Sequence, residues 1–171
     1  MNFAFCDSKQ NKKKKSKLIV IKNMKKKIMP PTYFFILLFL SIALHFLFPI
    51  IKIIYPPYTY LGFALITFGA IINIWSDFLL KKNKTTVRPD EKPSQLVTSG
   101  PFSITRNPQY LGFTAILLGV AVLHGTLIMF AFPAFFVIII EIIFIPMEEK
   151  NLESIFGDEY IAYKKRTRRW I

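Results

Sequence analysis

Arg106, Asn107, Tyr110, Glu141, Glu148 and Glu149 are the side chains best suited to chemistry, because each stands within or at the edge of an otherwise apolar stretch. Asn107-Pro108 reads as a helix entry: the Asn oxygen can accept from orphan backbone N–H groups, and proline at the first helical position has no N–H to lose. Arg106 precedes the positive end of that helix dipole, so the corner should attract an anionic group, with Tyr110 one turn inside. Ser99-Gly100-Pro101 adds a turn whose glycine lets a ligand approach the backbone. Glu148 and Glu149 can accept a proton or favour a cationic ligand. Glu141 lies in an apolar helix and must face protein or water; it either pairs with Arg106 or touches a ligand. It precedes Glu148 by seven residues, so the two share a side if the helix continues past Pro146. Asp77, four residues after Asn73, is either a functional group or an interfacial carboxylate solvated by headgroups.

Other chemistries lack their motifs. The sequence has no phosphate-binding P-loop, no Ser/His/Asp nucleophilic set, no Gly-x-Gly-x-x-Gly and no His-Glu-x-x-His. Its single cysteine, Cys6, has no second thiol for a disulfide or a metal cluster, and no metal is expected. The polar groups that remain suit a polar cofactor entering from the cytoplasm and a lipophilic substrate entering from the bilayer.

Holding such groups requires a membrane scaffold. The 171-residue chain is 53% hydrophobic and 16% aromatic, too apolar for an ordinary soluble domain of this size. The pattern predicts an all-α integral membrane protein with four transmembrane helices, at about 32–48, 58–80, 108–123 and 127–146. A basic tail, 1–29, precedes the membrane domain, 30–171, and is expected to be disordered. That tail followed by an apolar run reads as an uncleaved signal anchor, and Met24 and Met29 are alternative starts to Met1. Gly62 and Gly69 mark the second helix for close approach by a neighbour, and Pro133 is expected to kink the fourth. Thr85-Thr86-Val87 suits a short extended piece. Residues 147–171 form a cytoplasmic tail whose Leu152, Ile155, Phe156, Tyr160 and Tyr163 give an amphipathic helical stripe bent at Gly157. His45 and Trp170 read as interfacial residues.

Charge tests the topology independently. The net charge is +13, and of 23 Lys and Arg all but Lys52 fall in segments on one side of the predicted spans. Cytoplasmic loops are enriched in these residues, so both termini are expected in the cytoplasm. The basic runs flank membrane segments without a nucleic-acid motif, which argues for anionic lipid and against nucleic acid as partner.

Several ordered motifs then resemble a known family. Leu96-Val97-Thr98-Ser99-Gly100-Pro101-Phe102, Arg106-Asn107-Pro108-Gln109-Tyr110-Leu111-Gly112, Glu148-Glu149, Phe156-Gly157-Asp158-Glu159-Tyr160 and Tyr163-Lys164-Lys165-Arg166 are similar to the membrane isoprenylcysteine carboxyl methyltransferase and phospholipid methyltransferase group. The resemblance runs from about Thr85 onward. It implies transfer of a methyl group from S-adenosylmethionine to a lipid-borne carboxylate, thiol or amine. It also implies that Gln95, Leu96, Val97 and Phe102 line the cofactor with Asn107 and Tyr110 closing around it, that Glu148 and Glu149 fill the paired-glutamate position, and that Arg166 is the arginine holding a substrate carboxylate; Gly100 and Arg106 join the cofactor-binding candidates from the turn and the helix start. Many members carry His at the position of Asn107, so hydrogen bonding replaces imidazole chemistry there. Two other readings compete: a membrane reductase of the sterol type using NADPH, and a non-enzymatic lipid-binding protein on the same fold.

Overall fold

Pro30-Pro31 opens the first helix, α1 (Pro30–Leu47), where the missing proline N–H groups cost nothing. The computed structural model describes residues 29–48, 51–85 and 93–171. The expectations for the tail 1–28, and for most of the extended piece at Thr85–Val87, fall outside those residues. A 3-10 turn, Tyr58–Tyr60, leads into α2 (Leu61–Lys82), which ends in Lys81 and Lys82 at the negative end of its dipole. The short α3 (Pro101–Ile104) precedes α4 (Pro108–His124), which stops at Gly125 in the left-handed conformation (φ 69°). The rest of the apolar run is one rod: a 3-10 turn at Leu127–Phe130, α5 (Ala131–Ile139), a π-helical turn at Ile140–Phe144 and α6 (Ile145–Phe156). Gly157 (φ 52°) then turns the chain into α7 (Asp158–Arg166). No strand occurs among the described residues.

The all-helical membrane architecture matches the sequence. Pro30–Leu47, Tyr58–Lys82 and Leu127–Phe156 are long and apolar enough to cross a membrane. The 17 residues of α4 form a shorter apolar helix. The fourth helix differs from expectation. It runs on to Phe156, so residues 147–156, expected in the tail, belong to it. A proline ring collides with the carbonyl four residues back, here that of Ile142, and the widened π turn immediately before Pro146 relieves this while the helix continues. Pro133, expected to kink the helix, lies in the first turn of α5, where its missing N–H is harmless.

Glycines bring α2 and α4 into backbone contact. Gly62 faces Gly119 and Gly69 faces Gly112; a methyl on Gly119 or Gly112 would stand 2.7 Å from the carbonyl oxygen opposite. On the other side of α4, Phe34 of α1 stacks on Phe113 at 4.6 Å, and both approach Phe136 of α5. One end of the bundle is stitched by the backbone: Ile53 N donates to Gly125 O (2.7 Å) and Leu127 N to Ile51 O (3.1 Å). His45 lies 3.1 Å from the Thr126 hydroxyl and edge-on to His124 at 4.5 Å. Lys52 and the His124 turn therefore share that end, while Lys81, Lys82 and α7 lie at the other.

Gly69→Ala and Gly112→Ala should each lower stability in detergent by about 1–3 kcal/mol, because the added methyl meets backbone. Ala64→Leu, on the exposed side of α2, should stay within about 0.5 kcal/mol. Equal losses at all three positions in equilibrium unfolding would show that the glycine contacts do not set the helix spacing.

Candidate functional site

The helix entry at Pro108 is where the sequence placed it, but Asn107 does not cap it. Its side chain makes no cap hydrogen bond; Nδ2 instead donates to the carbonyl of Arg169 at 2.9 Å. The reason is the segment after α7. Residues Thr167–Ile171 run back as a strap beside Thr105 and Arg106, with Arg106 N donating to Arg168 O (2.9 Å) and the Thr105 hydroxyl to Arg169 O (3.0 Å). Held through its NH2 by that carbonyl, the Asn107 amide does not bring its oxygen onto the N–H groups of the first helical turn.

The Arg169 side chain ties the strap to the last rod. Its Nε and Nη2 reach the two oxygens of Glu149 at 3.1 and 2.9 Å, and its Nη1 pairs with Glu141. Trp170 Nε1 donates to the other Glu141 oxygen at 2.9 Å. Arg106 also pairs with Glu149, at 2.9 Å, both side chains being only 9% exposed. Lys164 Nζ adds a third cation at 3.5 Å from Glu149, so the two carboxylates are fully matched by positive charge. The Glu149 and Glu141 carboxylates hold the Arg169 guanidinium well above its usual range.

Glu141 therefore pairs with Arg169, and the alternative of Arg106 as its partner is corrected. The expectation that Glu141 and Glu148 share a side is corrected too. A π turn adds one residue to the helical register, so Glu149, not Glu148, follows Glu141 on the strap side. Glu148 is turned the other way, where it accepts from the Tyr110 hydroxyl at 2.5 Å.

That displacement puts Glu148 at a cavity. Gln95, Leu96, Val97, Phe102, Arg106, Asn107 and Tyr110 line it with Glu148, and Leu80, Leu152 and Tyr163 extend its wall. The Tyr163 hydroxyl donates to Phe102 O at 2.6 Å, closing the α7 side. Burial, with Tyr160 beside it, raises the Tyr163 pKa. Tyr160 is pushed up to about 12, by burial first and by the Glu149 charge second. A raised pKa favours the protonated phenol in both. Gly100, Glu149 and Arg166 are outside the lining. Gly100 (φ 60°) seats the turn against Leu79 and Trp75 of α2, Glu149 lies in the ionic cluster, and Arg166 is exposed at the end of α7. Asp77 pairs with Lys81 at 2.5 Å on the outside of α2. Sequence reasoning missed Arg169, although an intramembrane Glu141 and a second glutamate on the same rod called for more than one guanidinium.

Comparison with known proteins decides the family. A model of the phospholipid methyltransferase family matches residues 57–159. The chain belongs to that family. An uncharacterised protein of Haemophilus influenzae is 39% identical over 62 residues, which is 36% of this chain and 98% of that protein. A solved structure of the eukaryotic intramembrane Ras methyltransferase, isoprenylcysteine carboxyl methyltransferase, superimposes with a TM-score of 0.59 at 24% identity, over 77% of this chain and 47% of that one. This likeness shows a shared membrane fold, and the chain spans about half the length of that enzyme. The family membership bears out the resemblance read from the motifs.

Glu149→Gln would leave Arg106 and Arg169 without their common counter-charge, and should cost about 3–5 kcal/mol in equilibrium unfolding. Glu153→Gln, at an exposed pair with Lys164, should cost under about 1 kcal/mol. Similar losses for the two variants would contradict the central place given to Glu149.

Proposed function

We propose that this chain is a multi-pass membrane methyltransferase that uses S-adenosylmethionine to methylate a lipophilic acceptor at the end of the bilayer where α4 begins. The observation that carries the reading is the cavity in which Glu148, Tyr110, Asn107 and Arg106 face an apolar wall of Leu80, Leu96, Val97 and Phe102. The chemistry of that lining fits the cofactor. Arg106 Nε is buried with no hydrogen-bond partner among the described residues, a free donor for an α-carboxylate. Glu148 favours ammonium and sulfonium charge, and the apolar wall suits an adenine ring. When bound, S-adenosylmethionine supplies a methyl group activated by the sulfonium.

The protein's part is alignment and exclusion of water. Glu148, held by the Tyr110 hydroxyl, is placed to take the proton that an amine or thiol acceptor must lose. A carboxylate acceptor would need a cation instead. Arg166 is exposed outside the lining, and Arg106, matched by Glu149, has its remaining donor Nε given to the cofactor in this reading. These two observations favour an acceptor that loses a proton, such as the amine of a phospholipid headgroup, over an isoprenoid-linked carboxylate. Glu149 serves by fixing Arg106. We assign α4 as the fourth span, with about 25 Å of helix against about 30 Å of hydrocarbon, and both termini to the cytoplasm, following the Lys and Arg distribution.

Calorimetric titration of the detergent-purified protein with S-adenosylmethionine, and in parallel with NADPH, tests the assignment. Saturable binding of S-adenosylmethionine is expected, weakened about tenfold or more in a folded Glu148→Gln variant that loses the carboxylate charge. Binding of NADPH alone would establish the reductase reading in its place, and binding of neither would leave a non-enzymatic lipid-binding protein.

A further inference from the structure

The amide of Asn107 has two ends, and only one is used within the protein. Its NH2 donates to Arg169 O at 2.9 Å, while its oxygen accepts no hydrogen bond among the described residues. The reverse orientation would set two acceptor oxygens against each other, so the strap carbonyl dictates which way the amide points. Asn107 also lines the cavity. The end it has left for a ligand is therefore the acceptor, Oδ1, which can read an N–H or O–H group.

That carbonyl is held in place by the rest of the same residue. Through Nε, Nη1 and Nη2, the Arg169 guanidinium engages Glu149 with two donors and Glu141 with the third. Trp170 closes on the second Glu141 oxygen and packs on the aromatic core around Phe34 and Phe144. The planar fork matters, because a lysine ammonium on a flexible stem could not hold two carboxylates and a fixed main-chain carbonyl at once. Arg169 does not line the cavity.

We infer that Arg169 is a positioning residue: by anchoring the strap to Glu141 and Glu149 it orients the Asn107 amide so that Oδ1 accepts a hydrogen bond from the bound cofactor. The inference rests on the S-adenosylmethionine reading above and adds to it a residue and an orientation. It makes Asn107 a reader of a donor group, an ammonium or hydroxyl, and makes cofactor affinity depend on a side chain outside the cavity.

The test is a double-mutant cycle on the full chain in lipid nanodiscs, with S-adenosylmethionine affinity read by calorimetry and folding by thermal unfolding. Arg169→Gln and Asn107→Ala should each weaken binding about tenfold, the worth of one hydrogen bond to a charged group. The double variant should be no weaker than Asn107→Ala alone, because Arg169 acts through Asn107. A strap of purely structural importance would multiply the two losses in a double variant that still folds. If Arg169→Gln does not fold, Thr105→Val enters the cycle in its place, since it removes the hydroxyl that holds the same carbonyl and also accepts from Asn107 N at 3.2 Å, and lies outside the cavity lining. Wild-type protein that fails to bind overturns the methyltransferase reading itself. Wild-type binding with unchanged affinity in the strap variant, or with multiplied losses in the double variant, overturns the positioning role of Arg169 alone.

Discussion

Glu149 between two arginines is the interaction on which the rest of the structure depends. A carboxylate at 7% exposure is tolerated beside hydrocarbon only when its charge is matched at hydrogen-bonding distance. Arg106 and Arg169 match it from opposite directions in the sequence, and Glu141 restores the balance on the Arg169 side. Bringing those four residues together has consequences elsewhere. The strap must return to the start of α4, and the last rod must be wound so that Glu141 and Glu149 face it together. The π turn before Pro146 supplies that winding, and the same extra residue rotates Glu148 towards Tyr110 and the cavity. Two adjacent glutamates thereby serve different ends, one in the protein's own charge balance and one available to a ligand.

The remaining packing leaves this end of the bundle free to be specialised. Four glycines clamp α2 to α4 along their length, and the backbone stitch at Gly125 closes the far end. Neither device uses a charge. The cavity is then bounded on one side by the turn at Gly100, seated on Leu79 and Trp75, and on the other by Tyr163 bound to Phe102. Pro93, Gln95, Leu96 and Val97, from the connection before Gly100, complete the lining.

Much of this was legible in the sequence because it follows from periodicity and punctuation. Apolar runs gave the helices, Asn107-Pro108 gave the start of α4, and Gly62 and Gly69 the close approach of a neighbouring helix. Seven of the eight residues expected around the cofactor line one cavity; Gly100 supports it from outside. What stayed hidden depends on side chains meeting across long sequence separations. A run of Lys and Arg reads as a solvated basic tail, and no local rule distinguishes Arg169 from Arg166 or Arg168. Pro146 ordinarily marks a helix end, so the continuation to Phe156, and with it the separation of Glu148 from Glu149, could not be read from spacing. Asn107 was read as a cap because its partner, the Arg169 carbonyl, is 62 residues away.

The ionic cluster of this membrane scaffold places one carboxylate, one amide and one guanidinium around a single cavity. The reaction proposed there is methyl transfer to a lipophilic acceptor with an exchangeable proton. The most direct measurement is incorporation of tritium from methyl-labelled S-adenosylmethionine into the lipid extract of proteoliposomes that contain phospholipids with free amine headgroups. Methyl transfer of this kind predicts organic-soluble label that requires the protein and is absent when the headgroups carry no transferable proton. Protein that binds the cofactor yet leaves no label in any amine-bearing lipid fraction, or labels lipid carboxylates instead, would contradict it.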